Sequence, residues 1–166
     1  MTSKGLLHRH VLYRLLRQYR RIDEVLFEEI QKLSKDYQLA DKVNLHGFVD
    51  APDVSKYLAE ADFGLVFLHP YLRYKEALPT KIFEYMQHGL PVITNDFPLY
   101  RKYVEETQSG LCLNIKNMEA MVAAIIELIN DPQRLETLAK NGIELTQNRF
   151  NWSTQEAKLL ELYASL

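Results

Sequence analysis

Two glutamates and the helix start between them are the residues of this sequence best suited to chemistry. Glu76 and Glu84 are separated by seven residues, and Pro79 or Thr80 can begin a helix. The first N–H groups of a helix lie at the positive end of its dipole and bind phosphate. Lys81 and the Thr80 hydroxyl can add to this anion site, while carboxylates accept hydrogen bonds from the hydroxyls of a sugar or a ribose. On spacing alone, however, two surface glutamates are the commoner interpretation.

The elements that must position these residues alternate between strand and helix. The predicted strands are 43–49, 63–68, 91–94 and 110–115. The predicted helices are 22–37, 54–60 (capped by Asp53), 80–88 (stopped by Gly89), 98–107, and three closing helices capped by Asn117, Asp131 and Ser153. Strands separated by helices form parallel sheets with right-handed crossovers. The fold class is therefore α/β, a Rossmann-like parallel sheet with flanking helices, which binds ligands at the carboxyl edge of its strands.

Composition and charge narrow the function classes. The 166 residues carry 20 Lys and Arg against 22 Asp and Glu, and this balance excludes a strongly basic nucleic-acid binder. No apolar run approaches the about 20 residues of a membrane-spanning helix. The chain has one cysteine, Cys112, which fits a reducing compartment and is predicted to be buried and inert in its apolar strand. The five histidines show no ligand spacing, so we expect no metal site. We expect a cytoplasmic protein.

The first 21 residues differ from the rest of the chain. They hold six basic residues and no acidic one, whereas residues 22–166 carry 14 basic against 22 acidic residues. Apolar residues recur at helical spacing within residues 5–20. This pattern indicates either a helix lying on an anionic membrane surface, which would place the protein peripherally at the inner face of the membrane, or a helix packed on the sheet or on a partner domain. We divide the chain into a basic amphipathic segment, 1–21, and a Rossmann-like domain, 22–166.

A longer series of motifs surrounds the two glutamates. Residues 74–96 read YKEALPTKIFEYMQHGLPVITND, with VNLHGFV and LAEAD upstream and Gly110-Leu111 downstream. In this order and spacing the motifs resemble the carboxyl-terminal, donor-binding domain of retaining GT-B glycosyltransferases, glycosyltransferase family 4 (group 1). The resemblance covers residues 22–166.

The resemblance implies a role for each matching position. Glu76 matches the glutamate that contacts donor-sugar hydroxyls near the reacting carbon, and Glu84 matches the one that holds the ribose. The loop and helix start that bind the diphosphate correspond to Leu78, Pro79, Thr80 and Lys81, and the strand end that borders the nucleobase corresponds to Gly47, Phe48 and Val49. The implied reaction is retaining transfer from a nucleotide-diphosphate sugar, without a metal or other cofactor, in the synthesis of surface polysaccharide or glycolipid.

Two parts of the family pattern have no counterpart in this sequence. One is the opening strand–helix–strand unit, with the Arg and Lys that grip the diphosphate. The other is the amino-terminal acceptor-binding domain. We therefore expect about four strands instead of a complete sheet of about five or six, with one exposed edge. The missing domain or a partner chain would complete the enzyme. The alternative is a non-catalytic nucleotide-binding fragment or a degenerate module.

Several other residues near predicted strand ends have two open interpretations. His69 either faces the donor or has no role. Asp96 either borders the site or serves as a turn or cap residue, which we favour slightly. Tyr71, Tyr74 and Tyr100 either line the sugar pocket or fill half-buried surface.

Overall fold

The computed structural model of the chain describes residues 24–46 and 49–165. These residues fall into two compact units, which meet in sequence between Asp62 and Phe63. The predicted basic segment 1–21 lies outside the described residues, as do Gly47 and Phe48 of the predicted nucleobase contacts.

The first unit contributes two helices, α1 (Glu24–Asp36) and α2 (Ala51–Glu60). Helix α2 begins three residues earlier than predicted because Pro52 fits the first turn of a helix. Asp53 is therefore not its cap. It lies within the first turn and forms an ion pair with Lys56 at 2.7 Å.

The predicted strand 43–49 is wrong over its described residues. Residues 43–46 and 49 form no strand, although burial alternates as in one, with Val43 and Leu45 half-buried and Asn44 and His46 exposed. A strand needs a neighbouring backbone to bond with. Within the described chain, the strand pairing involves only the three strands of the second unit, so residues 43–46 and 49 have no partner strand.

The second unit is built on a parallel sheet of three strands, β1 (Gly64–Val66), β2 (Val92–Asn95) and β3 (Gly110–Leu113), in the order β1-β2-β3. In the register, Val92 lies between Gly64 and Gly110. The α/β fold class is therefore confirmed. The predicted strands at 63–68, 91–94 and 110–115 are also confirmed as elements, each differing from its prediction at one or both ends.

Six helices of the described chain belong to this second unit. They are α3 (Leu72–Lys75), α4 (Thr80–Gln87), α5 (Pro98–Val104), α6 (Met118–Ile129), α7 (Pro132–Asn148) and α8 (Trp152–Ala164). Within the described ranges, no helix combines the length and the apolar character needed to cross a membrane.

Two of the three N-cap residues predicted for the closing helices are confirmed. Asn117 and Asp131 cap α6 and α7, accepting hydrogen bonds from the N–H groups of Ala120 at 3.1 Å and Arg134 at 2.9 Å. The predicted cap Ser153 is wrong, because Asn151 caps α8 and accepts from the N–H of Thr154 at 2.8 Å. Ser153 is already inside that helix.

The two faces of the sheet are covered by different helices. On one face, a Cβ on Gly64 would lie 2.1 Å from the ring of Tyr85, so only glycine lets α4 pack this close. On the other face, Phe63 and Ile93 pack with Leu128 of α6 and Leu138 of α7. Helix α4 ends as predicted at Gly89, whose φ of +67° favours glycine. Because α4 connects the parallel strands β1 and β2, it runs back along them, and its amino end lies on the side where β1 ends.

Candidate functional site

Buried polar side chains of β2 hold the loop that leaves β1. The amide of Asn95 accepts a hydrogen bond from the N–H of Leu68 at 2.7 Å and donates to its carbonyl at 3.1 Å. The Thr94 hydroxyl donates to the carbonyl of Val66 at 2.8 Å. Asn95 and Thr94 are both buried. The Asn95 bonds continue the contact between the two strands beyond Val66, the last residue of β1. They therefore fix the chain that leads from β1 to α3 at the carboxyl edge of the sheet.

Helix α3 is anchored on α5 by a buried tyrosine. The Tyr100 hydroxyl donates to the carbonyl of Tyr74 at 2.7 Å, and burial raises the pKa of Tyr100 to about 12. Tyr100 therefore remains a protonated donor. Its fully buried ring belongs to the core, whereas Tyr74 is half-buried and Tyr71 exposed. Of the three tyrosines considered for the sugar pocket, Tyr100 is thus a structural residue.

Glu76 and the residues that follow it connect α3 to α4. Glu76 is the exposed C-cap residue of α3, and its N–H donates to the carbonyl of Leu72 at 3.2 Å. Leu78 and Pro79 are half-buried, and Pro79 is the N-cap residue of α4. Thr80 is the first helical residue, as predicted. An α-helix directs its first N–H groups out of its amino end, which is the geometry that binds phosphate.

One face of α4 lines a cavity of about 810 Å³. Thr80, Phe83, Glu84 and Gln87 form this wall, with the spacing of a single helix face. The structure therefore brings two of the predicted site residues, Thr80 and Glu84, to one cavity. The other predicted residues on this segment, Glu76, Leu78, Pro79 and Lys81, are not among its lining residues. Val49 is half-buried in the first unit.

The opposite wall of the cavity comes from the end of α7, the start of α8 and the connection between them, and the sequence did not indicate it. It contains Thr146, Gln147, Arg149, Phe150, Asn151, Trp152, Gln155 and Lys158. Glycine at position 142 allows α7 to approach α4, since a Cβ there would lie 3.3 Å from Met86. These residues follow Glu84 by 62 to 74 positions in the sequence, and no local pattern links them to it. The one available signal is Trp152, the sole tryptophan of the chain.

Aromatic and charged groups share this cavity. The Phe83 and Phe150 rings lie 4.9 Å apart, and the Arg149 guanidinium lies 5.1 Å from the Phe150 ring centroid. The Trp152 side chain is 69% exposed. Together with the Glu84 carboxylate and the Lys158 ammonium, these groups can bind a ligand that has flat, hydroxylated and anionic parts.

Asp96 follows β2 at the same edge but is engaged in an ion pair. Its carboxylate contacts the Arg101 guanidinium, and this hydrogen bond holds the pKa of Asp96 below its ordinary value. Of the favoured interpretation as a turn or cap residue, the cap is wrong, because the N-cap residue of α5 is Phe97. Within the described residues, no group of three or more His, Cys, Asp or Glu side chains is placed to hold a metal. The His69 ring is exposed and lies 5.8 Å from that of Tyr71.

Cys112, which the sequence predicted to be buried, is half-buried in β3, and its reactivity gives a chemical test of the packing around this strand. Burial raises the pKa of its thiol to about 12, with smaller contributions from Glu105 and Asp96. Since the thiolate is the reactive form, this pKa lowers reactivity about a thousandfold at pH 8. We expect iodoacetamide to alkylate the native chain at least a hundredfold more slowly than the chain unfolded in guanidinium chloride. Equal rates, followed by mass spectrometry, would show that the thiol is not protected.

Comparisons with known proteins identify the family model and the folds that this chain resembles. The family model described as Glycosyl transferases group 1 matches residues 23–145. Sucrose synthase of Thermosynechococcus vestitus is 27% identical over 174 residues, which cover 96% of this chain and 21% of that protein.

Two solved structures share the fold. Sucrose-phosphate synthase from Thermosynechococcus elongatus has a TM-score of 0.72 at 29% identity, over 88% of this chain and 35% of that protein. Anabaena HepE in complex with UDP has a TM-score of 0.72 at 23% identity, over 87% of this chain and 38% of that protein. HepE has also been solved in complex with UDP-glucose. The chain thus spans less than two fifths of the length of each of these proteins.

Proposed function

Because the chain belongs to the group 1 glycosyl transferases, we propose that it binds the nucleotide-sugar donor of such an enzyme at the carboxyl edge of its sheet. The observation that carries the proposal is that Thr80, the first residue of α4, and Glu84 line the same cavity, which runs along one face of that helix. The Glu84 carboxylate can accept hydrogen bonds from ribose hydroxyls, and the start of α4 at Thr80 can bind phosphates. These two groups are about one helical turn apart.

The proposed division of roles follows the chain. The diphosphate lies at the amino end of α4, near Leu78, Pro79, Thr80 and Lys81. Glu84 holds the ribose, and Glu76 contacts the donor sugar near its reacting carbon. The nucleobase role of Gly47, Phe48 and Val49 in the first unit stays a prediction from the resemblance. Negative charge grows on the diphosphate as the sugar leaves, and preorganised N–H groups stabilise it there. The cavity volume of about 810 Å³ falls within the range of small-molecule sites.

The finer assignments extend the same proposal. We infer that the chain is the donor-binding part of a GT-B enzyme of glycosyltransferase family 4. The enzyme transfers a sugar with retention of configuration, in the synthesis of surface polysaccharide or glycolipid. HepE, which shares the fold, has been solved with UDP and with UDP-glucose. This supports a uridine nucleotide as the first donor to test. In this proposal an acceptor-binding domain works together with the chain.

Nucleotide titration of the chain tests the proposal. Trp152 lines the cavity and is the only tryptophan, so its fluorescence reports on this cavity alone. We expect UDP and UDP-glucose to bind saturably in calorimetry and to change this fluorescence, while uridine binds much more weakly because it lacks phosphates. Failure of UDP, GDP and ADP to bind would contradict the proposal. Binding without transfer, once an acceptor domain and acceptor are supplied, would favour the non-catalytic alternative.

A further inference from the structure

Arg73 and Arg149 are the arginines of the second unit whose guanidinium lies beside an aromatic ring, and Arg73 lies beside two rings. Its guanidinium carbon lies 4.6 Å from the ring centroid of Tyr74 and 5.8 Å from that of Tyr71. One of its terminal nitrogens donates to the Tyr74 hydroxyl at 3.0 Å. A guanidinium held against two aromatic rings loses part of its rotational freedom before any ligand arrives.

Arg73 also lacks an acidic partner in the part of the chain that the structure describes. By contrast, Arg101 contacts Asp96, and Arg134 lies 3.2 Å from Glu127. Arg73 is exposed, and a guanidinium has five N–H donors, of which the contact with Tyr74 uses one. The remaining donors form a fork whose geometry matches a carboxylate or a phosphate.

Arg73 lies close in the chain to Glu76, the proposed sugar contact, and both residues are outside the lining of the cavity that Thr80 and Glu84 share. Arg73 precedes Glu76 by three residues on α3 and its C-cap, and residues at this spacing are neighbours on one helical side. Helix α3 is held at the carboxyl edge of the sheet by the bond from Tyr100 to Tyr74, and α4 begins five residues after α3 ends. The rings of Tyr71 and Tyr74 form an aromatic platform beside Arg73. The hydrogen bond from Tyr100 to the Tyr74 carbonyl attaches this platform to the core.

We propose that Arg73 binds an oxyanion of the nucleotide-sugar donor, and that Tyr74 is its positioning residue. The inference rests on the proposed function. It supplies a cation for the donor, because the family's opening unit, whose Arg and Lys grip the diphosphate, has no counterpart in this sequence. The oxyanion belongs either to the diphosphate or to the carboxylate of an acidic donor sugar. Both present the oxygen pair that a guanidinium binds through two parallel hydrogen bonds.

The test compares Arg73→Ala with wild type in calorimetry, using UDP, UDP-glucose and UDP-glucuronate. We expect Arg73→Ala to weaken binding about tenfold, as for the loss of a charge-assisted hydrogen bond. Arg73→Lys keeps the charge without the fork and should recover only part of this affinity. Tyr74→Phe keeps the ring but removes the hydroxyl, and should weaken binding about threefold with no loss of uridine affinity. Arg134→Ala removes the same charge from the start of α7 and should have no effect.

The three probes separate the two sources of the oxyanion. Equal weakening of all three ligands by Arg73→Ala assigns the diphosphate, whereas weakening of UDP-glucuronate alone assigns the sugar carboxylate. If wild type binds UDP and Arg73→Ala binds every probe equally well, the inference is wrong while the proposed function stands. If wild type binds no nucleotide, the proposed function and this inference both fail.

Discussion

Replacing Glu84 with glutamine is expected to weaken UDP binding by between about tenfold and a hundredfold. In the proposed site the carboxylate accepts hydrogen bonds from both ribose hydroxyls, and a bond to a charged group is worth about 1.5–3 kcal/mol. Glutamine keeps the shape of the side chain and has one uncharged acceptor oxygen. The fold should be unaffected, because Glu84 is exposed and the two residues have similar helix propensities.

Matched variants separate the role of Glu84 from that of charge alone. Glu144 is exposed on α7 and lies outside the cavity that Glu84 lines, so Glu144→Gln should leave UDP affinity unchanged. Glu76→Gln should also bind UDP normally, since UDP has no sugar for Glu76 to contact, and should impair UDP-glucose only. Calorimetry measures these affinities, and thermal melting checks the fold of each variant. Wild-type UDP affinity in Glu84→Gln would contradict the assignment of the ribose to this residue.

Replacing Asn95 with alanine is expected to lower the free energy of unfolding by about 2–3 kcal/mol. The side chain is 1% exposed and makes both hydrogen bonds that hold Leu68 after β1. Each bond contributes about 1 kcal/mol, and alanine leaves the N–H and carbonyl of Leu68 without these partners. Asn95→Asp should also destabilise, because its carboxylate would face the carbonyl oxygen to which the amide donates.

The control for Asn95 is an exposed asparagine after the neighbouring strand. Asn114 follows β3 and accepts one hydrogen bond from the N–H of Lys116 at 3.0 Å, so Asn114→Ala should cost less than about 1 kcal/mol. Urea unfolding followed by circular dichroism measures both variants. A cost below 1 kcal/mol for Asn95→Ala would mean that the loop leading to α3 does not depend on this amide.

The strands of the second unit and the start of α4 could be predicted because their signals are local. Short apolar runs mark β1, β2 and β3, and the residues around Pro79 and Gly89 mark the two ends of α4. The segment 43–49 has an equally clear local pattern but forms no strand in its described residues. Strand formation depends on a neighbouring backbone, which a local pattern does not reveal.

The sequence by itself determined the α/β class, the positions of three strands along the chain and the placing of Glu76 and Glu84 beside a helix start. These features depend on side-chain periodicity and on residues that begin or stop helices, all within a few positions of one another. The tertiary structure decided which side chains share a cavity with Glu84. Trp152 and Arg149 reach it because α7 packs against α4 at Gly142, a contact that brings distant parts of the chain together. It also revealed the platform of Tyr71 and Tyr74 beneath Arg73, since only the anchored path of α3 brings these side chains together.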